Sequence, residues 1–256
     1  MLRISSAVAS DPGLRREENE DSYCARTDLG LYLVADGMGG HAAGEVASRV
    51  AVDTIQTFIA ETAGADKNRT WPFPFEPEIS LEANRLKAAF KLANRQLANA
   101  MADSADLRGM ATTASAVLAG RTSACVGHVG DSRVYALRAG QLTQITDDHS
   151  WVEEQVRAGT MSASAARQHP WRNVVTRALS GGSDPEIDTV ELSPQPGERF
   201  LLCSDGLSGV VPHQTIATIL GDGQDLETIC ERLIAAANEG GGPDNITVLV
   251  LQVDAP

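Results

Sequence analysis

The sequence contains few cysteines, and they are too widely spaced to form a recognisable cysteine motif. Its 256 residues include only Cys24, Cys125, Cys203 and Cys230, and no two of them lie close together along the chain. This spacing excludes a CxxC redox pair and a zinc-ligand cluster, and a disulfide framework is not expected in a chain of this size. Cys125 and Cys203 lie within apolar runs, so we expect both to be small core residues.

The sequence also lacks a long apolar run. No stretch approaches the roughly 20 apolar residues that a membrane-spanning helix needs, so membrane insertion is not expected. The first 13 residues, MLRISSAVASDPG, carry a single positive charge and no long apolar stretch. This pattern is not typical of a secretory signal peptide, and we therefore predict a cytoplasmic location.

Basic residues are fewer than acidic ones. The chain has 21 Lys and Arg residues against 34 Asp and Glu residues, which gives a formal net charge of −13 at pH 7. A surface of this charge repels a phosphate backbone, so a nucleic-acid partner is not expected. The net charge also disfavours acidic substrates in general, but it does not determine the field inside a single pocket.

The apolar pattern predicts a single α+β domain over residues 1–256. Hydrophobic residues make up 43% of the chain and charged residues 21%, as in an ordinary folded domain. Because predicted strands come in runs and predicted helices in blocks, antiparallel sheets are favoured over alternating βαβ units. The predicted strands cover residues 4–9, 22–26, 31–35, 113–118, 123–129, 133–137, 199–203 and 246–253. The predicted helices cover residues 42–60, 81–101, 213–220 and 226–238.

Two segments interrupt this layout. Residues 64–80, with WPFPFEP at their centre, contain three prolines and no helical period. They predict a loop between two helices, and a linker between domains is the alternative. Residues 151–171 have a short helical pattern rich in Ala, Ser and Arg, which predicts a surface excursion between strands.

Aspartates lie next to apolar strands at three places. LYLVADGMGGH has Asp36 after a strand, RFLLCSDGLSG has Asp205 after another, and GGPDNITVLVL has Asp244 before a third. A single Asp-Gly is more typical of a turn, as we interpret Asp222-Gly223. Converging carboxylates about 4 Å apart repel by roughly 4 kcal/mol at an effective dielectric of about 20, so such a group needs cations between its members. An all-oxygen ligand set favours Mg²⁺ or Mn²⁺ over zinc.

Eight motifs in a fixed order give the chain a resemblance to a known family. They span Arg16 to about Leu251 and are RREENEDS, VADGMGGHAAGEVAS, GMATTASAVL, GHVGDSRVY, DDHS, NVVTRALSG, LLCSDGL and GGPDNITVLVL. The set resembles the motifs of the metal-dependent serine/threonine protein phosphatases of type 2C, and the bacterial branch matches best. The resemblance implies a four-layer αββα sandwich, in which two central antiparallel β-sheets are flanked by helix pairs. It also implies a dinuclear metal site at one end and a small flap insertion at about residues 148–172.

The resemblance further implies a set of metal ligands. Asp36 would bridge two tightly bound Mg²⁺ or Mn²⁺ ions, and the Gly37 carbonyl would bind one of them. Asp205 and Asp244 would complete the protein ligands of the other ion. Asp131, in GDSR, resembles the ligand of a third and weaker metal site, and an ordinary turn between two strands is the alternative.

Four further residues resemble groups that work beside the metals. Glu20 and Asp21 resemble residues that hold metal-bound waters, whereas a solvated charge run is the alternative. Arg16 resembles the arginine that binds substrate phosphate, since a guanidinium fork matches two phosphate oxygens, and Arg15 is its competitor. His41 resembles a general acid that protonates the leaving alkoxide, and a helix-start residue is the alternative.

The function implied by the resemblance is hydrolysis of phosphoserine and phosphothreonine on proteins. A water or hydroxide held between two metal ions would attack phosphorus without a phosphoenzyme, and no cysteine lies in a CxxxxxR pattern. The expected partners are phosphorylated proteins, among them a serine/threonine protein kinase of the same cell. Two rival functions are a binding module that has lost catalysis and a metal-dependent hydrolase of small phosphoesters. The intact metal ligands and Arg16 argue against the first rival, and the sequence does not separate the second.

Overall fold

Two antiparallel β-sheets lie at the centre of the structure, a computed structural model that describes residues 2–40, 43–64 and 69–255. The strands in these residues are β1 (Ile4–Asp11), β2 (Asp21–Arg26), β3 (Leu31–Met38), β4 (Ala111–Thr112), β5 (Ala114–Ala119), β6 (Ala124–Val129), β7 (Arg133–Arg138), β8 (Gln141–Gln144), β9 (Asp188–Leu192), β10 (Arg199–Cys203) and β11 (Ile246–Val253). The helices are α1 (Ala43–Glu61), α2 (Leu81–Asp103), α3 (Trp151–Arg157), α4 (Ala163–Ala166), α5 (Asp205–Ser208), α6 (His213–Leu220) and α7 (Leu226–Glu239).

The two sheets differ in their strand order. The first runs β1–β11–β10–β7–β8, and the second runs β2–β3–β5–β6–β9 with the short β4 beside β3. Neighbouring strands pair antiparallel throughout both sheets. Strands β8 and β9 are absent from the sequence prediction because each is a short edge strand whose side chains are largely exposed or half-buried, so neither has a strong apolar pattern.

Strands at the middle of each sheet are buried on both faces, which explains their near-continuous apolar sequences. In β3, Tyr32 and Val34 belong to the core between the sheets, which also contains Leu249 of β11. The alternate residues Leu31 and Leu33 belong to a second core, between the sheet and helices α1 and α2. Because successive strand side chains point to opposite faces, one strand contributes to two cores.

Helix pairs cover the outer face of each sheet. Helix α1 contributes Ala47, Ala51, Ile55 and Ile59, four residues apart on one side, to the core beneath α1 and α2. Helices α6 and α7 pack on the first sheet through a separate core that includes Ile216. The predicted four-layer αββα sandwich is therefore confirmed.

The proline-rich segment between α1 and α2 is a loop that packs on the helices it joins. The Trp71 ring lies 6.4 Å from the Phe58 ring of α1 and 5.6 Å from the Phe75 ring, measured between centroids. Helix α2 begins after Ser80, whose hydroxyl accepts a hydrogen bond from the Ala83 amide at 3.0 Å. Since α1 and α2 share one core, the domain-linker alternative is not supported.

The segment between β8 and β9 contains the short helices α3 and α4, as the local helical pattern predicts. The Trp151 ring lies 4.9 Å from the His169 ring and 4.9 Å from the Trp171 ring, so the segment is packed by its own aromatic side chains. Trp171 is nevertheless 55% exposed. The segment is thus locally ordered and presents an aromatic side chain to solvent.

Two expectations about composition are tested by the fold. All four cysteines are free and buried, and Cys125 and Cys203 lie in the cores as predicted. Across the described ranges, none of the helices combines the length and apolar character that crossing a membrane requires.

Candidate metal centre

Five aspartates from both sheets converge at one end of the sandwich. Asp21 begins β2 and lies opposite Asp36 near the end of β3. Asp205 begins α5 two residues after the last residue of β10, Asp244 precedes β11, and Asp131 lies in the turn between β6 and β7. Because β2 and β3 are neighbours in one sheet and β10 and β11 are neighbours in the other, the ends of these strands bring together residues from distant parts of the sequence.

The electrostatics of these carboxyls show how closely they approach one another. Burial raises the pKa of Asp36 well above its ordinary value, and the charges of Asp21, Asp205, Asp131 and Asp244 raise it further. Burial, together with the charge of Asp244, raises the pKa of Asp205 to about 6. Burial likewise raises the pKa of Asp21 and of Asp131 to about 7, and Asp205 adds to both shifts. These groups repel one another at neutral pH.

Divalent cations fit this set of oxygens. Asp21 Oδ2 accepts a hydrogen bond from the Ser204 hydroxyl at 2.8 Å, while its buried Oδ1 has no hydrogen-bond partner among the described residues. Within the described ranges, no three His, Cys, Asp or Glu side chains lie close enough together to hold a metal ion without further ligands. Mg²⁺ and Mn²⁺ accept a mixture of carboxylate, carbonyl and water oxygens, and Mg²⁺ keeps several waters even when bound. The residues therefore suit hard cations whose coordination water completes.

Glycines allow the backbone to approach this centre closely. The Gly37 amide donates to the Glu20 carbonyl at 3.2 Å, and a Cβ atom at Gly37 would collide with the Gly44 carbonyl oxygen. A Cβ atom at Gly44 would in turn meet the Glu20 carboxylate at 2.5 Å. The end of β3, the start of α1 and the residue before β2 thus meet at a contact that only glycine permits.

A hydroxyl network supports the aspartates, and sequence reasoning missed it. The Asp36 amide donates to Thr113 Oγ1 at 3.0 Å, and Thr113 Oγ1 lies 2.7 Å from the Ser132 hydroxyl. Thr112 Oγ1 donates to the Asp36 carbonyl at 2.8 Å. Thr112 and Thr113 belong to the GMATTASAVL motif, and Ser132 follows Asp131. The motifs therefore include these hydroxyl residues, but the sequence does not show which groups they contact. The network joins the end of β3 to the turn that carries Asp131.

A buried histidine pair connects the Asp131 turn with the segment between β8 and β9. His149 Nδ1 accepts from the Gly130 amide at 3.1 Å, so its Nε2–H donates to Asp188 at 3.0 Å. The His149 carbonyl accepts from the Thr176 amide at 2.7 Å. His128 lies beside it, with 4.7 Å between the ring centroids, and burial lowers the pKa of His128 to about 4. Burial also lowers the pKa of His149, and its Nδ1 already accepts a hydrogen bond, so both rings serve as structural groups.

Arg16 lies at the edge of the metal centre. Its guanidinium Nη2 donates to Asp244 Oδ2 at 2.8 Å, and its side chain is 51% exposed. The hydrogen bond to Asp244 and the charge of that carboxylate raise the pKa of Arg16 above its ordinary value. Arg15 is exposed and forms no ion pair with the residues that the structure describes. Of the two arginines, Arg16 is the one beside the aspartates.

The predicted site residues that remain are Glu20 and His41, of which the structure describes only Glu20. Glu20, the residue before β2, is half-buried against Gly44 near the start of α1, and burial is the main cause that raises its pKa. Glu20 and Asp21 are therefore not the exposed charge run that was the alternative. His41 lies outside the described residues, so its role as a general acid stays a prediction.

The chain resembles known proteins in sequence and in structure. Over 253 residues it is 42% identical to the serine/threonine protein phosphatase PstP of Mycobacterium tuberculosis, a match that covers 98% of this chain but only 45% of the length of PstP. It is 35% identical over 251 residues to the serine/threonine phosphatase stp of Listeria monocytogenes, which covers 96% of this chain and 94% of that protein.

A solved structure with metal bound is similar over the whole chain. The crystal structure of the catalytic domain of PstP in complex with two manganese ions has a TM-score of 0.83 and 38% sequence identity, and the match covers 100% of both chains. Residues 15–245 match the family described as protein phosphatase 2C. With the convergent aspartates and the αββα sandwich, these matches establish that the chain belongs to the protein phosphatase 2C family.

Proposed function

We propose that this protein is a metal-dependent phosphatase that hydrolyses phosphoserine and phosphothreonine on proteins. The observation that carries the proposal is the convergence of Asp36, Asp205 and Asp244 at one end of the sandwich, where burial and mutual repulsion favour bound cations. The serine/threonine phosphatases to which the chain is similar support it, as does the structure of PstP with two manganese ions.

The aspartates and one backbone carbonyl would hold the metals. Asp36 would serve both ions, the Gly37 carbonyl would bind one, and Asp205 and Asp244 would bind the other. Two such ions supply Lewis acidity and a water that ionises near neutral pH. Asp21 and Glu20 would orient waters of the centre, in keeping with the Asp21 Oδ1 atom, which has no hydrogen-bond partner within the described ranges.

Arg16 would bind the phosphate of the substrate. Its guanidinium already lies 2.8 Å from Asp244, and half of its side chain is open to solvent. A guanidinium in this position presents two parallel N–H donors to a phosphate dianion, which a lysine does not match. His41 follows the DGMGG motif in sequence and would donate the proton that the leaving alkoxide requires.

The finer parts of the proposal concern the third metal and the substrate. Asp131 is buried near Asp205 and would hold a third, weaker ion. Residues 148–172 would act as a flap that selects protein substrates, because an aromatic surface loop beside a rigid site is suited to that role. A serine/threonine protein kinase of the same cell is a proposed substrate. The cytoplasmic location stays a prediction.

One comparison of rates tests the proposal. Phosphate release is measured from a phosphothreonine peptide and from p-nitrophenyl phosphate, each with Mn²⁺, with Mg²⁺ and with excess chelator. We expect turnover of the peptide with either metal and none in chelator. Full turnover by protein of zero metal content would rule out the mechanism, absence of turnover on both substrates would indicate a binding module, and turnover of the small ester alone would indicate a small-phosphoester hydrolase.

A further inference from the structure

The buried side chain of Asn245 holds the segment that carries Arg16. Its Nδ2 donates to the Pro12 carbonyl at 3.0 Å and to the Glu18 carbonyl at 2.8 Å. Its Oδ1 accepts from the Glu20 amide at 2.8 Å. One side chain, 4% exposed, therefore fixes residues 12–20 at three backbone positions.

These three bonds require an amide in one orientation. Two carbonyl oxygens need two donors, and the Glu20 N–H needs an acceptor. A flipped amide would place its oxygen against a carbonyl oxygen and its NH₂ group against the Glu20 N–H. An aspartate keeps the acceptor but has no donor when ionised, and an alanine leaves all three backbone groups without this partner. The position is thus specific for asparagine.

The segment has few other attachments near Arg16. Residues 14–18 are exposed, and among the described residues the Leu14 backbone amide donates one hydrogen bond, to the Gly242 carbonyl at 2.8 Å. A long side chain on such a segment samples many positions unless the backbone on either side is fixed. Asn245 supplies this fixation on both sides of Arg16, at Pro12 and at Glu18.

Asn245 also touches the metal centre directly. Its own backbone amide donates to Asp244 Oδ1 at 2.9 Å, while Arg16 donates to the other oxygen, Oδ2, at 2.8 Å. The two oxygens of Asp244 are thus bound by the backbone of Asn245 and by the arginine whose segment the Asn245 side chain holds. The arrangement ties the position of the arginine to that of the carboxylate.

We propose that Asn245 is a positioning residue that sets the location of Arg16 relative to the metal centre. The inference rests on the proposed function, because it assigns Arg16 the role of binding substrate phosphate. Asn245 touches neither substrate nor the reacting atoms in this proposal. It lowers the entropy that the Arg16 segment loses when phosphate binds.

The first test separates positioning from stability. Asn245→Ala should raise KM for a phosphothreonine peptide about tenfold, with kcat changed by less than about threefold, at saturating Mn²⁺. The matched control is Asn84→Ala. Asn84 is also buried, donates to the Glu76 and Ser80 carbonyls at 2.8 and 2.9 Å, and accepts from the Glu76 amide at 2.8 Å. It holds the loop before α2, so its loss should lower Tm and leave KM unchanged.

The second test asks whether Asn245 acts through Arg16. If it does, the double variant Arg16→Ala/Asn245→Ala should have the KM of Arg16→Ala alone, because an absent guanidinium cannot be mispositioned. The inference would be overturned if the KM rise of the double variant equalled the product of the rises of the two single variants. An equal rise of KM in Asn84→Ala would also overturn it. If Asn245→Ala does not fold, Asn245→Asp retains size and the Glu20 acceptor and should raise KM in the same sense. An inactive wild-type protein would instead refute the proposed function itself.

Discussion

Asp21 and Asp36 lie directly opposite each other in the register of β2 and β3. Burial raises the pKa of both carboxyls, and the charge of Asp21 is the largest electrostatic contribution to the shift of Asp36. Like charges in this cross-strand position destabilise a sheet. The pair is therefore a local cost to folding that bound cations would offset.

Asp36→Asn is expected to abolish most turnover while leaving the fold intact. It weakens both proposed metal sites at once, so kcat should fall well beyond tenfold, or about 1.4 kcal/mol in activation free energy. In excess chelator its Tm should not fall, because the substitution removes an ionisable carboxyl from a buried cluster of carboxyls that repel one another. Asp28→Asn, an exposed aspartate paired with Arg26, is the control. A kcat above about a tenth of the wild-type value would contradict the bridging role.

The pH dependence of stability without metal should reflect the raised pKa values. Asp21 and Asp131 have pKa values of about 7 in the folded protein, whereas unfolded aspartates release their protons near about pH 4. The folded state then binds more protons, so stability falls as pH rises through about 4 to 7. His128, with a pKa lowered to about 4, acts in the opposite sense between about pH 4 and 7, where the unfolded histidine binds more protons than the folded one.

The pH range above the one in which His128 titrates therefore tests the contribution of the aspartates alone. Between about pH 7.5 and 8.5 the histidine is almost entirely neutral in both the folded and the unfolded state, and Tm in excess chelator should decrease as the carboxyls lose their remaining protons. Asp21→Asn should reduce the decrease, and saturating Mn²⁺ should suppress it. A Tm that rises across this interval in chelator would contradict the electrostatic description of the centre.

Arg16→Ala should chiefly raise KM for phosphorylated peptides. A phosphate contact present in the ground state and in the transition state changes binding more than kcat. Arg15→Ala is the matched control, because Arg15 is the exposed neighbour of the same charge. An unchanged KM in Arg16→Ala together with a raised KM in Arg15→Ala would identify the other arginine as the phosphate ligand.

His41→Ala should slow poor leaving groups most. The alkoxide of phosphoserine must be protonated as it departs, whereas p-nitrophenolate is stable enough to leave without a proton donor. The measurement is the ratio of kcat values on a phosphoserine peptide and on p-nitrophenyl phosphate. Equal losses on the two substrates would argue against a general acid at this position.

The sequence predicts the strands and the aspartates at their ends because both signals are local. Asp36, Asp205 and Asp244 each lie beside an apolar run, and the family motifs indicate that these residues meet. The contacts that organise the centre are not local: Asn245 holds Pro12 from more than two hundred residues away, and His149 pairs with Asp188 of an edge strand that has no strong apolar pattern. Such pairings depend on the sheet order, which a pattern of single strands does not contain.

Asp131 offers the sharpest choice between a metal ligand and a turn residue. It is 8% exposed, and burial followed by the charge of Asp205 raises its pKa, so its carboxyl faces the same space as the other aspartates. One strong protein ligand would hold a third ion weakly, in keeping with the sparse ligation that Mg²⁺ accepts. Asp131→Ala should therefore lower kcat and move the metal-activation curve to higher concentration.

Asp131→Asn distinguishes the two roles, because asparagine forms turns as well as aspartate does but is a weaker ligand for a hard cation. If Asp131 is a ligand, both variants should shift the metal titration, whereas a turn former would be replaced by asparagine without loss. In the turn case Asp131→Ala would lower stability by about 1 kcal/mol and leave the titration unmoved. Activity titrated with Mn²⁺ beside a melting curve for each variant gives both readouts. A shift in the asparagine variant at unchanged Tm has no explanation in a turn, since the backbone geometry is then preserved and only the ligand has changed.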